Sequence, residues 1–220
     1  ANISSPMDNL ILSATNSILV ALLATFINLT FSLALCLLIV DEKRKFLKTL
    51  IEVGSFSIIC ISPLVFGTAL FLLLFEHIDL SANALLLTGL TNGILMIPIS
   101  LAILLPGFKK IKARYGKLMN IIGVPRTSEL AKFYVPLLKK NIKFSCALVF
   151  ALSIGDLGVI VLFSGDDIGT LPMYLYRLIG SYRMDEAYFV SMILLLLAFT
   201  SFWLIENGNL NVFKRKQMSD

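Results

Sequence analysis

Long apolar stretches alternate along the chain with short stretches that carry nearly all of its charge. Five of the apolar stretches have about 20 residues or more, which is long enough to cross a bilayer as a helix. They lie at residues 17–40, 49–75, 82–105, 144–163 and 187–205. A backbone surrounded by lipid has to satisfy its own hydrogen bonds, so stretches of this length are predicted to be helical. The pattern therefore predicts an all-α, polytopic transmembrane helical bundle with five spans.

The composition supports a membrane protein. Apolar residues make up 57% of the 220 residues and charged residues 15%, against about 45–50% and about 25% in soluble domains. A disordered chain is excluded and a soluble enzyme is not expected. The cysteines lie in or beside apolar stretches, without paired spacing, so neither a disulfide nor a metal site is predicted.

The basic residues divide the loops into two sets. Of the 19 Lys and Arg residues, 17 lie in 41–48, 106–143 and 206–220, which share one side of the predicted bundle. Arg177 and Arg183 are the two on the other side. Loops rich in Lys and Arg are typically cytoplasmic, so we expect the N-terminus outside and the C-terminus in the cytoplasm. The net charge of +5 then reflects topology, and nucleic acid is not an expected partner.

An outside N-terminus normally follows a leader or an earlier helix. Residues 1–40 have no basic start of the kind that a signal peptide carries. We therefore expect a further helix upstream, within a longer protein.

The long loop at 107–143 carries two short helical patterns on either side of Gly123 and Pro125. These two residues suit the end of one helix and the first turn of the next. The apolar positions at helical spacing are Ile111, Tyr115, Leu118 and Ile122, then Leu130, Phe133 and Leu137. The pattern predicts two amphipathic helices whose apolar ridge docks in a partner's groove. The alternative is a basic loop lying on anionic lipid head groups.

The spacing in this loop resembles that of a known family. Gly123 is followed by nine residues and then by Phe-Tyr-Val-Pro, which ends at Pro136. This resembles the coupling loop of ABC-importer permeases, whose pattern runs from Glu-Ala-Ala through Gly to Ile-x-Leu-Pro. Lys117, Leu118 and Met119 stand in place of Glu-Ala-Ala. The order of the spans extends the resemblance along the whole chain, and residues 150–183 resemble thiamine permeases, which are related to the ferric-iron and polyamine permeases.

The resemblance implies one type I ABC-importer permease module (MetI-like) over residues 1–220, with its coupling loop at 107–140. The module would be the C-terminal one of a two-module permease, without its first helix. It would be a transport subunit rather than an enzyme and would bind no cofactor, because ATP acts on a separate dimer of ATP-binding subunits. The implied coupling residues are Gly123, Pro125, Leu130, Phe133 and Pro136.

Further partners follow from the same resemblance. They are a periplasmic solute-binding protein, a second permease module (fused or separate) and the bilayer of a bacterial inner membrane. The implied solute is thiamine or its phosphates. Ferric iron or a polyamine are the alternatives within the class, and a structural or channel subunit without an ATPase is the alternative outside it. A membrane enzyme would need a nucleophile with a base, or paired ionisable groups, inside the membrane, and neither is present in the sequence.

Asp156 is the one carboxylate well inside a predicted span. It lies about 12 residues, or ~18 Å, into the fourth span, at a depth where a charge costs about 2.5–3.5 kcal/mol. Such residues usually face the bundle interior or a water-filled path. Asp156, with its neighbours Ser153 and Gly155, is therefore a candidate for a translocation path that accepts a cationic solute such as thiamine. The alternative is a structural role, with Asp156 bonded to a neighbouring helix.

The predicted outer segment 164–186 contains charged residues and tyrosines. Its candidate contacts for the binding protein are Asp166, Asp167, Arg177 and Arg183. The alternative is that the segment only carries an interfacial belt of tyrosines.

Prolines interrupt two of the predicted spans. Pro63 lies in the second span and Pro98 in the third. Because proline removes a helical hydrogen bond, each is predicted to kink its helix.

Overall fold

The computed structural model describes residues 6–74, 76, 83–122, 129–163 and 169–207. Nearly all of these residues are helical and none of them is in a strand, so the all-α class is confirmed. The helices are α1 (Pro6–Asp41), α2 (Lys45–Ser57), α3 (Pro63–Leu74), α4 (Ala84–Leu95), α5 (Ile97–Ile122), α6 (Val135–Leu137), α7 (Lys139–Ile154), α8 (Ile160–Phe163), α9 (Leu171–Gly180) and α10 (Met184–Asn207). A 3-10 turn (Ile58–Cys60) follows α2, and a π-helical turn (Leu130–Tyr134) precedes α6.

The long helix α1 is central, because α4, α5, α7 and α9 all pack against it. Its buried face consists mainly of small and polar side chains at helical spacing. These are Ser13, Asn16, Ser17, Val20, Ala21, Ala24, Asn28, Ser32, Cys36 and Ile39. Small residues let membrane helices approach closely, and polar ones bond between helices. Large apolar residues such as Leu22 and Phe26 lie on its exposed face, as expected of a surface that contacts lipid.

Asn28 connects α1 to three other helices. Its Nδ2 donates to the carbonyl oxygen of Gly93 in α4 at 3.0 Å, and its Oδ1 accepts from the hydroxyl of Ser100 in α5. Ser145 in α7 donates in turn to Ser100 Oγ at 2.8 Å. We call these four residues the Asn28 network. Because no water in a bilayer core can satisfy such groups, the network fixes how the four helices face one another.

Glycines bring α4 onto α1. A Cβ atom added to Gly93 would lie 3.0 Å from the Ala24 carbonyl oxygen and 3.0 Å from Ile27 Cβ. A Cβ atom added to Gly89 would lie 2.6 Å from Leu23 Cδ2. Both distances are shorter than ordinary van der Waals contact, so this helix pair depends on glycine at the two positions.

The second predicted span, 49–75, is not one straight helix. The stretch from α2 to Cys60 and the helix α3 meet at 96°. Pro63 is the first residue of α3, where a missing N–H removes no helical hydrogen bond. Ile61, two residues before it, is extended. The kink predicted at Pro63 is therefore in the right place, but it is a complete break because the chain leaves the helical conformation.

The third predicted span, 82–105, bends in the middle. The helices α4 and α5 meet at 43° with only Met96 between them. Pro98 is the second residue of α5, and it has no N–H to donate back across the bend. The kink predicted at this proline is confirmed.

The helix α5 does not end where the third span was predicted to end. It runs through Pro106 to Ile122 as one helix of 26 residues. The predicted separate amphipathic helix over 111–122 is therefore wrong, since this stretch is the second half of α5. The reason is that Pro106 bends or weakens a helix locally but need not end it when both flanks favour helix.

The fourth predicted span, 144–163, begins earlier than expected and is interrupted. The helix α7 starts at Lys139, residues 155–159 are not helical, and α8 adds a single turn. Asp156 lies in this break, not inside a continuous helix as predicted. Its Oδ1 accepts from the backbone N–H of Gly158 at 3.3 Å. Such a local bond competes with helical hydrogen bonding, which accounts for the interruption.

The fifth predicted span, 187–205, is confirmed as helical, because α10 covers it completely. By length and apolar composition, α1 and α10 can each cross a membrane alone. Four spans result if the bent pairs α2–α3 and α4–α5 each count as one. The described residues thus provide two to four candidate spans, and the prediction of five stays a prediction.

Two matched alanine substitutions test the contact between α1 and α4. Replacing glycine by alanine inside a helix gains up to about 1 kcal/mol of helix propensity. The Cβ at Gly54 would meet nothing within 4 Å, so Gly54→Ala should leave the apparent melting temperature in detergent unchanged or raise it. Gly93→Ala should lower it, because overpacking costs about 1–3 kcal/mol. Equal shifts in the two variants would contradict the close approach at Gly93.

Candidate functional site

The predicted coupling residues are only partly described. Gly123 and Pro125 lie outside the described residues. Leu130, Phe133 and Pro136 lie within residues 129–137, which we call the 129–137 segment. The geometry available is therefore that of this segment and of the end of α5 against which it packs.

The 129–137 segment is helical but it is not a regular α-helix. Its first part, Leu130–Tyr134, is a π-helical turn, and α6 follows directly. Pro136 has no N–H for the carbonyl four residues earlier, and a π turn is a local widening of an α-helix. The predicted helix over this segment is confirmed as helical, but the predicted α-helical spacing of its apolar residues is not kept.

Much of the predicted apolar ridge packs inward. Leu130 and Phe133 pack against a buried cluster formed by α1, α5 and Tyr134 with Leu138. Ile111 belongs to that cluster. These side chains fasten the segment to the bundle and are not free to enter a partner's groove.

A smaller apolar surface remains exposed next to this cluster. Leu118 and Ile121 near the end of α5 are 46% and 82% exposed, and Leu137 is 53% exposed. Pro136 is exposed as well. A docking surface at this end would therefore use the last turns of α5 and the edge of α6.

Tyr134 holds the 129–137 segment on α5. Its ring is fully buried and stacks on Phe108, with centroids 4.5 Å apart and planes inclined by 9°. Its hydroxyl has no hydrogen-bond partner among the described residues. Burial, reinforced by the carboxylates of Asp41 and Glu129, raises the pKa of Tyr134 to about 12, so the phenol is neutral at physiological pH. The sequence interpretation gave Tyr134 no role, because its pairing with Phe108 is visible only in three dimensions.

Ion pairs join three elements beside Tyr134. Lys112 Nζ in α5 lies 2.6 Å from Asp41 Oδ1 at the end of α1 and 3.8 Å from Glu129 Oε2. A more exposed pair joins Lys109 Nζ to Glu52 Oε1 of α2 at 2.8 Å. The sequence interpretation missed all three pairs. One indication of these ion pairs was present in the sequence. The acidic and basic residues that form them lie in segments predicted to share one side of the membrane.

The three predicted path residues lie together at the break after α7. Ser153 is buried, and its Oγ accepts from Asn92 Nδ2 of α4 at 3.3 Å. Gly155 ends the helix and Asp156 follows it. Besides the bond from Gly158, Asp156 has a buried Oδ2 without a hydrogen-bond partner among the described residues. Among the residues that the structure describes, no bond joins Asp156 to a neighbouring helix, and the two alternative roles of Asp156 stay predictions.

The predicted outer contacts are also only partly described. Asp166 and Asp167 lie outside the described residues. Arg177 is in the last turn of α9 and is half-buried. Arg183 lies just before α10, and its Nε donates to Glu186 Oε1 at 2.9 Å.

Arg177 and Arg183, the described outer contacts, and the 129–137 segment lie at opposite ends of α1. The start of α9 is fastened to the beginning of α1, where Ser17 Oγ accepts from the Leu171 N–H at 2.7 Å. Asp41 is 24 residues further along α1, or about 36 Å by helical rise. The described members of the two predicted contact surfaces are therefore far apart, and the Asn28 network lies between them.

Two substitutions separate the contributions of the Tyr134 ring and hydroxyl. The buried hydroxyl is unpartnered, so Tyr134→Phe should leave the unfolding midpoint in detergent unchanged or raise it slightly. Tyr134→Ala should lower the free energy of unfolding by about 3–5 kcal/mol, because a buried aromatic side chain is lost. A large loss in Tyr134→Phe would mean that the hydroxyl has a partner.

The chain matches no protein-family model, but it is similar to three curated permeases, among others. It is 37% identical over 166 residues to the thiamine transport system permease protein ThiP of Salmonella typhimurium, which covers 76% of this chain and 31% of that protein. The protein of the same name from Escherichia coli is 38% identical over 156 residues, covering 71% of this chain and 29% of that protein. That from Brucella abortus is 30% identical over 174 residues, covering 79% and 31%.

These similarities agree with the resemblance predicted from the sequence. The chain spans about a third of the length of the curated relatives it matches. Together with the apolar helices, the relatives indicate a multi-pass membrane protein. The predicted resemblance is confirmed: over most of its length the chain is similar to one part of three bacterial thiamine transport system permease proteins.

Proposed function

We propose that the chain is a transmembrane module of an ATP-driven ABC importer that moves thiamine or its phosphates into the cell. The observation that carries this proposal is the similarity of more than two thirds of the chain to permeases named for thiamine transport. In this proposal the module is the C-terminal one of a longer permease, and it works with a second permease module, fused or separate. A periplasmic solute-binding protein delivers the solute.

The proposed membrane is the bacterial inner membrane, with the N-terminus of this chain outside and its C-terminus in the cytoplasm. The end of α1 at Asp41, the second half of α5 and the 129–137 segment would then lie on the cytoplasmic side. The many Lys and Arg residues of 41–48 and 106–143 support this orientation. The binding protein would meet the opposite end, at Asp166, Asp167, Arg177 and Arg183.

The proposed coupling surface is the end of α5 with the 129–137 segment. A dimer of ATP-binding subunits would contact it through Gly123, Pro125 and Pro136, while Leu130 and Phe133 would support this surface by packing on the bundle. ATP would be bound on those subunits, with no cofactor on this chain. Leu137 and Ile121, which are exposed here, would add apolar area to the contact. ATP can move the bundle between inward-open and outward-open states only if it binds one state better than the other.

The proposed path for the solute passes the break after α7. A broken helix exposes backbone polar groups at membrane depth, which is tolerated where they are buried in protein or line a cavity. Ser153, Gly155 and Asp156 meet at this break. The Oδ2 of Asp156 has no hydrogen-bond partner within the described part of the chain, which would leave this carboxylate oxygen for a cationic solute.

The first test is thiamine uptake by the full permease that contains this chain, reconstituted with its ATP-binding subunit and binding protein in proteoliposomes. We expect ATP-dependent uptake of labelled thiamine. Excess ferric iron or polyamine should leave it unchanged. If either competes with thiamine, that solute would become the proposed substrate in place of thiamine. Uptake without ATP would contradict an ABC importer.

A bulky residue at the proposed coupling turn provides the second test. Gly123→Trp should insert normally but lose ATP-dependent uptake and retain less of the ATP-binding subunit on co-purification in detergent. Gly54→Trp is the matched control, because nothing lies within 4 Å of a Cβ at Gly54. Normal uptake by a well-expressed Gly123→Trp variant would exclude the coupling role.

The charge of Asp156 can be removed without removing its local hydrogen bond. In Asp156→Asn the amide oxygen can still accept from Gly158. Opposite charges about 4 Å apart interact by roughly 1–4 kcal/mol in surroundings between water and protein surface, so we expect the KM for thiamine to rise about tenfold. Unchanged kinetics in a normally assembled complex would exclude Asp156 from solute contact, and failure to assemble would indicate a structural role.

A further inference from the structure

Lys112 lies where three separate elements of the chain meet. It belongs to the second half of α5, Asp41 is the last residue of α1, and Glu129 is the first residue of the 129–137 segment. The distances from Lys112 Nζ are 2.6 Å to Asp41 and 3.8 Å to Glu129. One cation therefore lies between two carboxylates that are 88 residues apart in the sequence.

The two carboxylates are buried enough to need a positively charged partner, which Lys112 provides. Glu129 is only 5% exposed, and a carboxylate removed from water is strongly unfavourable unless a partner compensates its charge. Asp41 is also largely covered, with 23% of its side chain exposed. Among the described residues, Lys112 is the only basic group in an ion pair with either carboxylate.

The environment of Tyr134 shows independently that both carboxylates are close to the packed face of the segment. Asp41 and Glu129 each contribute to the raised pKa of its phenol, after burial itself. Without Lys112, Asp41 and Glu129 would lose the cation that both contact beside this buried ring. That loss would act directly on the contact between the 129–137 segment and the ends of α1 and α5.

We propose that Lys112 is a positioning residue that holds the 129–137 segment on α1 and α5 through Asp41 and Glu129. Movement of this segment is thereby transmitted to the two helices that carry the Asn28 network. This inference rests on the proposed function, because it concerns the movement that ATP-binding subunits impose. It does not require Lys112 to touch ATP, solute or a partner subunit.

The other ion pair at the same end provides a matched control. Lys109 and Glu52 join α5 to α2 and leave the 129–137 segment untouched. Their side chains are 43% and 30% exposed, and exposed pairs contribute little. Lys109→Met therefore removes one positive charge from the same helix without affecting the proposed connection.

The test compares thiamine uptake with ATP hydrolysis in the reconstituted full complex. Energetic coupling between two sites is typically worth about 5–150-fold, so Lys112→Met should lower the thiamine taken up per ATP hydrolysed by about tenfold. ATP hydrolysis itself should persist. Lys112→Arg should restore the ratio, and Lys109→Met should match the unsubstituted complex.

A second readout does not depend on transport. Amide hydrogen exchange of the 129–137 segment should be faster in Lys112→Met than in Lys109→Met, because the segment has lost its charged contact. Glu129→Gln, which keeps the shape of the side chain, should also lower the ratio of uptake to hydrolysis. If Lys112→Met does not fold, Glu129→Gln provides the test.

The variant with both Lys112→Met and Glu129→Gln should have a ratio no lower than that of Lys112→Met alone, since both changes remove the same connection.

The outcomes separate this inference from the proposed function. Absence of ATP-driven thiamine uptake in the unsubstituted complex would overturn the proposed function. Normal uptake per ATP in a folded Lys112→Met or Glu129→Gln variant, with unchanged hydrogen exchange, would overturn the role of Lys112 alone. If Lys109→Met lowers the thiamine taken up per ATP as much as Lys112→Met does, the role of Lys112 would also be overturned, because the effect would then come from net charge.

Discussion

The hydrogen bonds of Asn28 are the interaction on which the arrangement of the helices depends. In a lipid environment a side-chain amide has to find its partners within the protein, and Asn28 finds them on α4 and α5, with α7 joined through Ser145. Apolar packing alone gives little preference for one helix partner over another, because lipid is as apolar as the side chains. The polar contacts therefore decide which faces meet, and Gly93 allows the backbones to come close enough for them to form.

The same requirement explains where the helices break. The apolar stretches of the sequence predicted that helices exist, and α1 and α10 follow that prediction closely. The apolar stretches did not predict where the helices bend, because hydropathy depends on the side chains and contains no information on backbone dihedral angles. Pro63 and Pro98 carried a local signal, and bends occur at both. The break at Asp156 was not predicted, although this carboxylate stood out within its span, because the break involves a bond between the Asp156 side chain and the Gly158 backbone.

Amphipathic spacing predicted correctly that the 129–137 segment is helical, but not which of its residues face inward. Leu130 and Phe133 lie in a π-helical turn, whose spacing differs from that of the predicted α-helix. Both side chains pack on the bundle and do not form an exposed ridge. The pairing of Tyr134 with Phe108, and of Lys112 with Asp41 and Glu129, joins residues that are 17 to 71 positions apart. Such contacts depend on how separate helices meet, so no spacing within one segment could have predicted them.

The helix α5 connects the two polar clusters of the molecule. It carries Ser100 of the Asn28 network and, 12 residues further on, Lys112, a distance of about 18 Å by helical rise. No break interrupts α5 between them, whereas the chain bends just before Ile97 and the helical spacing changes at the 129–137 segment. In the proposed coupling, a displacement applied at Lys112 would be carried along this helix to Ser100, and through Asn28 to α1. Because α1 is also held at Asp41 by Lys112, the two helices are joined at both levels.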